Sequence, residues 1–300
     1  METAQLPFGG HWTEDKLDRV RKYLDAYQQA LKNQPFRRFY IDAFAGTGYN
    51  ELKANPVPSE AVSLFPEFAE EETKQFIDGS ARLALKVEPP FDRYVFIEKN
   101  VKRFADLELL KLEFPDREID VRRAEANEYL DQICGHSWLA RNERAVLFLD
   151  PFGMQVSWNT IAKIAATQAI DLWYLFPLGP VNRLLKRSGD IPENWSGRLD
   201  AVLGEHKWQE LFFRTNVSLG LFGEEVVTEK AAGFEEIAKY FVGRLKTVFP
   251  GVAENPLVLF SNNNSPLYLL CFAASNPKGS SIAVRIAAHI LGRPPRGKRK

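Results

Sequence analysis

The stretch Phe39-Tyr40-Ile41-Asp42-Ala43-Phe44-Ala45-Gly46-Thr47-Gly48 decides how the rest of the chain is read. A short apolar run ends in a carboxylate and then breaks into small residues and two glycines. A buried parallel strand that empties into a ligand-cradling loop has this pattern. Glycine lets backbone approach a ligand without a Cβ in the way, and the acid is suited to a polar or cationic group. A dinucleotide fold would place a third glycine three residues on and open a helix at once. That position holds Glu51, with Pro56 and Pro58 soon after, which argues against a nicotinamide dehydrogenase. Glycine-rich turns also follow strands that bind nothing.

Working outward, Leu17, Val20, Tyr23, Leu24, Tyr27 and Leu31 recur at helical spacing, and Thr13 with Glu14 and Asp15 forms an N-terminal cap. Pro35 ends that helix. Residues 49–78 are acidic, proline-bearing and weakly periodic, and read as an excursion over the glycine loop, a lid in function. From Gly79 onward the pattern alternates. Strands are expected over Arg93–Glu98, Ile119–Arg122, Ala145–Asp150 and Ile170–Phe176, with helices over Val101–Phe114, Glu125–Trp138 and Ser157–Thr167 between them. Such alternation implies a parallel sheet with helices on both faces. Val181–Thr247 then reads as largely helical, broken near Asn216–Gly223. Leu257–Ser261 and Leu267–Ala273 across Asn262-Asn263-Asn264-Ser265 read as a hairpin that gives the sheet an antiparallel edge, and Ser280–Leu291 as a final helix.

The expected division is an N-terminal helix (1–35), a Rossmann-like α/β core (36–178, interrupted at 49–78), a helical insertion (179–250), a terminal hairpin and helix (251–292) and a basic tail (293–300).

Composition bounds the function. The chain of 300 residues has 39 lysines and arginines against 39 aspartates and glutamates, so no global field steers it to nucleic acid. The tail Arg293-Pro294-Pro295-Arg296-Gly297-Lys298-Arg299-Lys300 is a local exception, a solvated end or a weak phosphate contact. Two cysteines, Cys134 and Cys271, supply neither a four-thiolate metal site nor a disulfide framework. His11, His136, His206 and His289 show no metal-ligand spacing. No run is long enough to span a bilayer and no signal segment is evident, so a soluble, cytoplasmic protein with no membrane partner is expected.

In an open parallel sheet, ligands bind beyond the carboxyl ends of the strands. Four features fall there in series. Asp42, Phe44, Gly46 and Gly48 follow the first strand, and Glu98 with Lys99 the second, where a carboxylate accepts two ribose hydroxyls. Glu125 and Asn127 follow the third, where an amide or acid meets an adenine amino group. Asp150-Pro151-Phe152-Gly153 follows the fourth, next to where a methyl group would be delivered. Each has a plainer reading: a strand-end acid also caps the next helix, as Glu125 can, and Asp-Pro also opens a tight turn. Asn182 and Arg183 open the helical insertion and are the candidates on the substrate side, a salt bridge at a helix start being the plainer role for Arg183.

These residues resemble two things. Asp-x-Phe-x-Gly-x-Gly is similar to the first motif of the S-adenosylmethionine (SAM) methyltransferases, and the five parallel-type strands, helical insertion and terminal hairpin expected above match their Rossmann-like architecture. More broadly, the chain resembles the three-Cys-motif partner (TcmP) family, a bacterial and phage group. The resemblance rests on His11-Trp12-Thr13 with Lys16, Tyr40 to Gly48, Gly79-Ser80, Phe96-Ile97-Glu98-Lys99, Glu125-Ala126-Asn127 and Phe148-Leu149-Asp150-Pro151-Phe152-Gly153. Asn182-Arg183 and Phe272-Ala273-Ala274-Ser275-Asn276-Pro277-Lys278-Gly279 complete it. It implies a SAM-dependent methyltransferase-like protein that works beside a protein carrying a three-cysteine, radical-SAM-like motif, the cluster ligands lying on that partner. The chain departs from the family in residues 49–78 and in Glu125, where aspartate is common. Amino-methyltransferases of adenine or cytosine carry Asp-Pro-Pro-Tyr where this chain has Asp150-Pro151-Phe152-Gly153. Two functions follow: a methyltransferase acting on an amine of a nucleic acid or nucleotide, or a non-catalytic SAM-binding subunit of the three-cysteine protein.

Overall fold

The computed structural model describes residues 11–47, 79–220, 223–261 and 263–293. Gly48, the 49–78 excursion and most of the basic tail lie outside the described residues.

Ten strands and eleven helices are described among these residues. The first helix, α1 (His11–Leu31), starts two residues before its expected cap, so Thr13 lies in the first turn. Then come β1 (Arg37–Asp42), α2 (Ser80–Leu85), β2 (Arg93–Ile97), α3 (Val101–Glu108), α4 (Leu110–Glu113) and β3 (Ile119–Arg122). The single helix expected over Val101–Phe114 is two, joined at Leu109. The chain continues through α5 (Ala126–Cys134), β4 (Glu143–Leu149), α6 (Trp158–Ala166) and β5 (Ile170–Phe176). Side chains set these helix starts: Asn100 accepts from the Lys102 and Arg103 N–H groups, Glu125 from Glu128, and Ser157 from Thr160.

β1 to β5 pair in parallel in the order β3-β2-β1-β4-β5, and antiparallel strands extend this sheet beyond β5. The chain winds outward from β1 to β3 and then returns to the other side of β1 at β4. The connections therefore diverge between β1 and β4, which is the switch point where an open α/β sheet forms its ligand crevice.

Past β5 the expectation needs correcting. Helices α7 (Leu178–Leu184), α8 (Glu193–Leu203), α9 (Trp208–Phe212) and α10 (Phe234–Lys246) are present. Between α9 and α10, however, β6 (Phe213–Gly220) and β7 (Gly223–Lys230) form an antiparallel ribbon where a break between helices was expected. Val217 and Val227 on it are exposed, so these apolar positions mark no buried face. The terminal hairpin gives the sheet its antiparallel edge, as expected. Its second strand, β10 (Pro266–Ala274), lies between β5 and two short strands, β8 (Gly251–Val252) and β9 (Leu257–Phe260). Asn264 takes a positive φ of 56° in the hairpin turn, a conformation that asparagine tolerates. The final helix is α11 (Ser280–Leu291).

Alternation along the strands builds a core on each face. Tyr40, Phe96, Phe148, Trp173 and Phe272 pack with α1, α2 and α11; Phe39, Ile41, Leu147, Tyr174 and Phe176 pack with α5, α6 and α10. Trp173 is fully buried between Tyr23 and Phe272, their ring centroids 5.4 and 5.2 Å away. The remaining tryptophans singled out in the sequence are also core residues, Trp138, Trp158 and Trp208 buried and Trp195 half-buried. Cys271 is buried in the middle of β10. α1 runs against the strand direction. Near its start Lys16 touches the residue after β4, and further on the Tyr23 hydroxyl donates to Asp171, near the start of β5, at 2.6 Å.

Candidate functional site

The carboxyl edge of the sheet gathers Asp42, Phe44, Gly46, Glu98, Asp150 and Phe152 from neighbouring strand ends. Asp42 ends β1 fully buried, paired in register with Phe96 on one side and Phe148 on the other. Its Oδ1 accepts the Phe44 N–H at 3.1 Å, while Oδ2 is buried with no hydrogen-bond partner among the described residues. The Tyr40 hydroxyl, two residues earlier on the same face of β1, is buried beside this carboxyl and interacts with it. Burial pushes the Asp42 carboxyl up to about 7; hydrogen bonds from Ser80 and the Phe44 amide and the charge of Lys16 oppose that rise, and Asp150 adds to it. Burial, with Asp42 and Asp150, also holds the Tyr40 phenol well above its ordinary value. An orphaned carboxylate oxygen at a switch point is a costly feature unless something cationic or hydrogen-bonding meets it.

Gly46 has a φ of +62°, in the left-handed region, so it is the backbone turn that requires glycine there. No atom of the described residues lies within 4 Å of where a Cβ would stand. Gly153, after β4, repeats the device with a φ of +70°.

At the end of β2, Glu98 is half-buried and its Oε1 accepts the Asn100 N–H at 2.7 Å, while Lys99 is exposed. Beyond β3, Glu125 is the cap of α5. Asn127 is a clasp: its Nδ2 donates to the Gln155 carbonyl at 2.8 Å and to Glu125 Oε1 at 3.0 Å. Its Oδ1 accepts from the Ser157 N–H and the Thr160 hydroxyl. With both donors and both acceptor positions engaged, the amide ties the loop after β4 to the start of α5. Glu125 and Asn127 thus share the sheet edge with Asp42 but spend their polar atoms on the chain.

Sequence reasoning assigned no role to Lys16 at this site. It projects from α1, 4% exposed, and its Nζ donates to Asp150 Oδ2 at 2.5 Å. The Trp12 ring covers the ammonium at 4.9 Å. Lys16 falls on the apolar stripe of α1, one turn before Val20, which is the signal that marks it as turned inward. Asp150 is 24% exposed at its side chain, so the pair sits at the rim of the crevice. Phe152 is half-buried against the core on the α1 side, and Pro151 is buried.

On α7, which leaves the carboxyl end of β5, Asn182 is half-buried and accepts from Lys230 Nζ through both its side-chain and backbone oxygens, at 2.6 and 2.9 Å. Asn182 therefore anchors the β6–β7 ribbon, and Arg183 beside it is exposed. Gly179 lets α7 lie against β10: a Cβ there would stand 2.9 Å from the Pro266 carbonyl oxygen.

Two surface cavities of about 390 and 500 Å³ lie elsewhere, by Phe249 and Ser280 and between α1 and α11. Neither takes in a strand-end residue of the site. Among the described residues no cluster of histidine, cysteine, aspartate and glutamate is placed to hold a metal ion, and no helix is long and apolar enough to cross a membrane.

The orphaned Asp42 oxygen, the positive-φ Gly46 and the half-buried Glu98 fit a ligand carrying a cationic group and a sugar. The architecture is mixed α/β, a mostly parallel Rossmann-like sheet with a terminal antiparallel hairpin, the class to which SAM-dependent methyltransferases belong. No family model and no curated protein matches the sequence. Among solved structures, the chain is similar to protein LPL1258 from Legionella pneumophila, of family DUF519 (17% identity over 80% of this chain and 93% of that one, TM-score 0.42). It is similar to a SAM-dependent methyltransferase from Clostridium acetobutylicum (10% identity, 90% and 93% coverage, TM-score 0.37). The bifunctional kinase-methyltransferase WbdD is a third (12% identity, 71% and 38% coverage, TM-score 0.33). At these values the likenesses carry no argument about activity, and the fold class stands on the strand order.

Proposed function

We propose that the chain is a three-Cys-motif partner protein that binds S-adenosylmethionine at the carboxyl edge of its sheet. It transfers the methyl group to an amine of a nucleic acid or nucleotide and works with a three-Cys-motif, radical-SAM-like protein in the cytoplasm. The observation that carries this reading is Asp42, whose buried Oδ2 lacks a partner among the described residues at the switch point. When bound, the cofactor supplies a methyl group on a positively charged sulfur.

The chain's own residues then divide the work. Asp42 receives the cofactor's cationic end, and Phe44, Gly46 and Gly48 give its backbone room. Glu98, with Lys99 beside it, holds the ribose hydroxyls, and Glu125 and Asn127 border the adenine side. Asp150 and the Pro151 carbonyl accept from the acceptor amine, Phe152 flanks it, and Asn182 and Arg183 face the substrate. Catalysis here is positioning of the amine in line with the methyl group, so no activated serine or cysteine is needed.

One observation favours the second reading, a non-catalytic SAM-binding subunit. Lys16 already holds the Asp150 carboxylate that an acceptor amine would use. Calorimetry with SAM, followed by labelled-methyl transfer to DNA, RNA and nucleotides with and without the three-cysteine partner, separates the two. Binding without transfer in every case selects the subunit.

Glu98→Ala is expected to weaken SAM binding by about 2 kcal/mol or more through loss of a hydrogen-bonded carboxylate. Calorimetry on variant and wild type with matching melting curves checks this. Equal affinities remove Glu98 from the ribose site.

A further inference from the structure

The sequence implies an acceptor amine at Asp150, and the structure shows that this carboxylate does not act alone. Among the described residues Lys16 is one of the few buried charged ones, and it reaches Asp150 across a sequence separation of 134. It binds Oδ2, on an acid that keeps 24% of its side chain exposed. The Trp12 ring at 4.9 Å fixes the ammonium from another side. Tyr40 and Asp42 complete the neighbourhood, both buried.

This arrangement is selective about charge. An amine that donates to the second oxygen of Asp150 comes within roughly 4–5 Å of the Lys16 ammonium, given ordinary hydrogen-bond lengths. If that amine is protonated, two like charges stand at the rim of a low-dielectric crevice, and their repulsion offsets the attraction of the Asp150 carboxylate. Asp42, raised to about 7 by burial, adds only part of a charge at neutral pH. An uncharged amine meets no such penalty. It finds an acceptor whose charge Lys16 has already balanced.

We propose that Lys16 is a specificity-determining residue: paired with Asp150, it excludes protonated alkylamines and admits uncharged amines of the exocyclic nucleobase kind. The inference rests on the reading of Asp150 as the acceptor-side residue, and it narrows the substrate class within that reading. Amine-bearing side chains of proteins and polyamines are excluded as acceptors.

The test uses the full chain as wild type, Lys16→Met and Lys16→Arg, each with a melting curve. Binding of n-butylammonium and of adenosine is measured at neutral pH by ligand-observed NMR, and SAM binding by calorimetry. In Lys16→Met, n-butylammonium affinity is expected to rise by about tenfold or more relative to wild type, with adenosine affinity changed by less than about twofold. Lys16→Arg, which keeps the charge, is expected to behave as wild type. Absence of the gain in a folded Lys16→Met overturns the proposal, as does a wild type that binds n-butylammonium more tightly than adenosine. The second outcome is decisive even if Lys16→Met does not fold. Should no protein bind SAM, the cofactor reading fails by itself, while the ratio of the two amines still reports on Lys16.

Discussion

The folded state is expected to lose about 4 kcal/mol of stability to Asp42 alone as pH rises from about 4 to about 8, and Asp42→Asn is expected to remove that loss. Burial raises the Asp42 carboxyl from 3.8 to about 7. In the window between those values the native state binds a proton that the unfolded chain has released. Stability from this group is therefore complete below about 4 and is lost as pH passes the folded value. Asparagine keeps an oxygen for the Phe44 N–H and has no charge to bury. Asp171, raised to about 6 by burial against the opposing hydrogen bond from Tyr23 and the charge of Arg144, has the same sign, so the wild-type curve alone does not isolate Asp42. The difference between wild type and Asp42→Asn, from chemical denaturation at several pH values, does. It is expected to be near zero at pH 4 and to favour the variant at pH 8. A difference independent of pH would mean that Asp42 is not buried as an acid. The same residue links stability to the proposed function, because a cation that meets Oδ2 recovers the cost of ionising it. SAM affinity is then expected to rise with pH up to about 7 in wild type and to be flat in Asp42→Asn.

The parallel core was legible because burial on both faces leaves short apolar runs, and those of β1, β2 and β4 end in or are followed at once by an acid, Asp42, Glu98 and Asp150. Ile119–Arg122 and Ile170–Phe176 were read to the residue. The β6–β7 ribbon was not, since Val217 and Val227 are exposed and mark no buried face. β8 is two residues long and takes its conformation from Ala273 and Ala274 beside it, a tertiary cause without a local pattern. At the site, local sequence identified strand-end residues but not their partners. Asn127 reads as a ligand-facing amide from its place after β3, yet its four contacts come from residues at 125, 155, 157 and 160, which only the folded loop brings near. The Lys16–Asp150 pair lies further still from anything a local window holds.

Asp150 carries the largest consequence of that pairing. Asp150→Ala is expected to destabilise the fold by about 3–5 kcal/mol, because it leaves the Lys16 ammonium buried without its counter-charge. Lys16 has 5% of its side chain exposed, so water does not readily replace the lost partner. Loss of methyl transfer in that variant would therefore say nothing about chemistry. Asp150→Asn is the informative change, since the amide oxygen still accepts from Lys16 while the charge that polarises an acceptor amine is gone. It is expected to leave SAM affinity within about twofold, the proposed cofactor contacts lying on the earlier strands, and to lower the rate of labelled-methyl transfer by about a hundredfold or more. Denaturation curves on the alanine variant and on the double variant Lys16→Met/Asp150→Ala check the first expectation. If the double variant is as unstable as the single, the buried ammonium is not the cause. Calorimetry and single-turnover transfer on Asp150→Asn check the second. A variant that keeps its fold but loses SAM binding would assign Asp150 to the cofactor rather than to the acceptor amine. One that keeps both binding and transfer would leave the pair with Lys16 as its whole role.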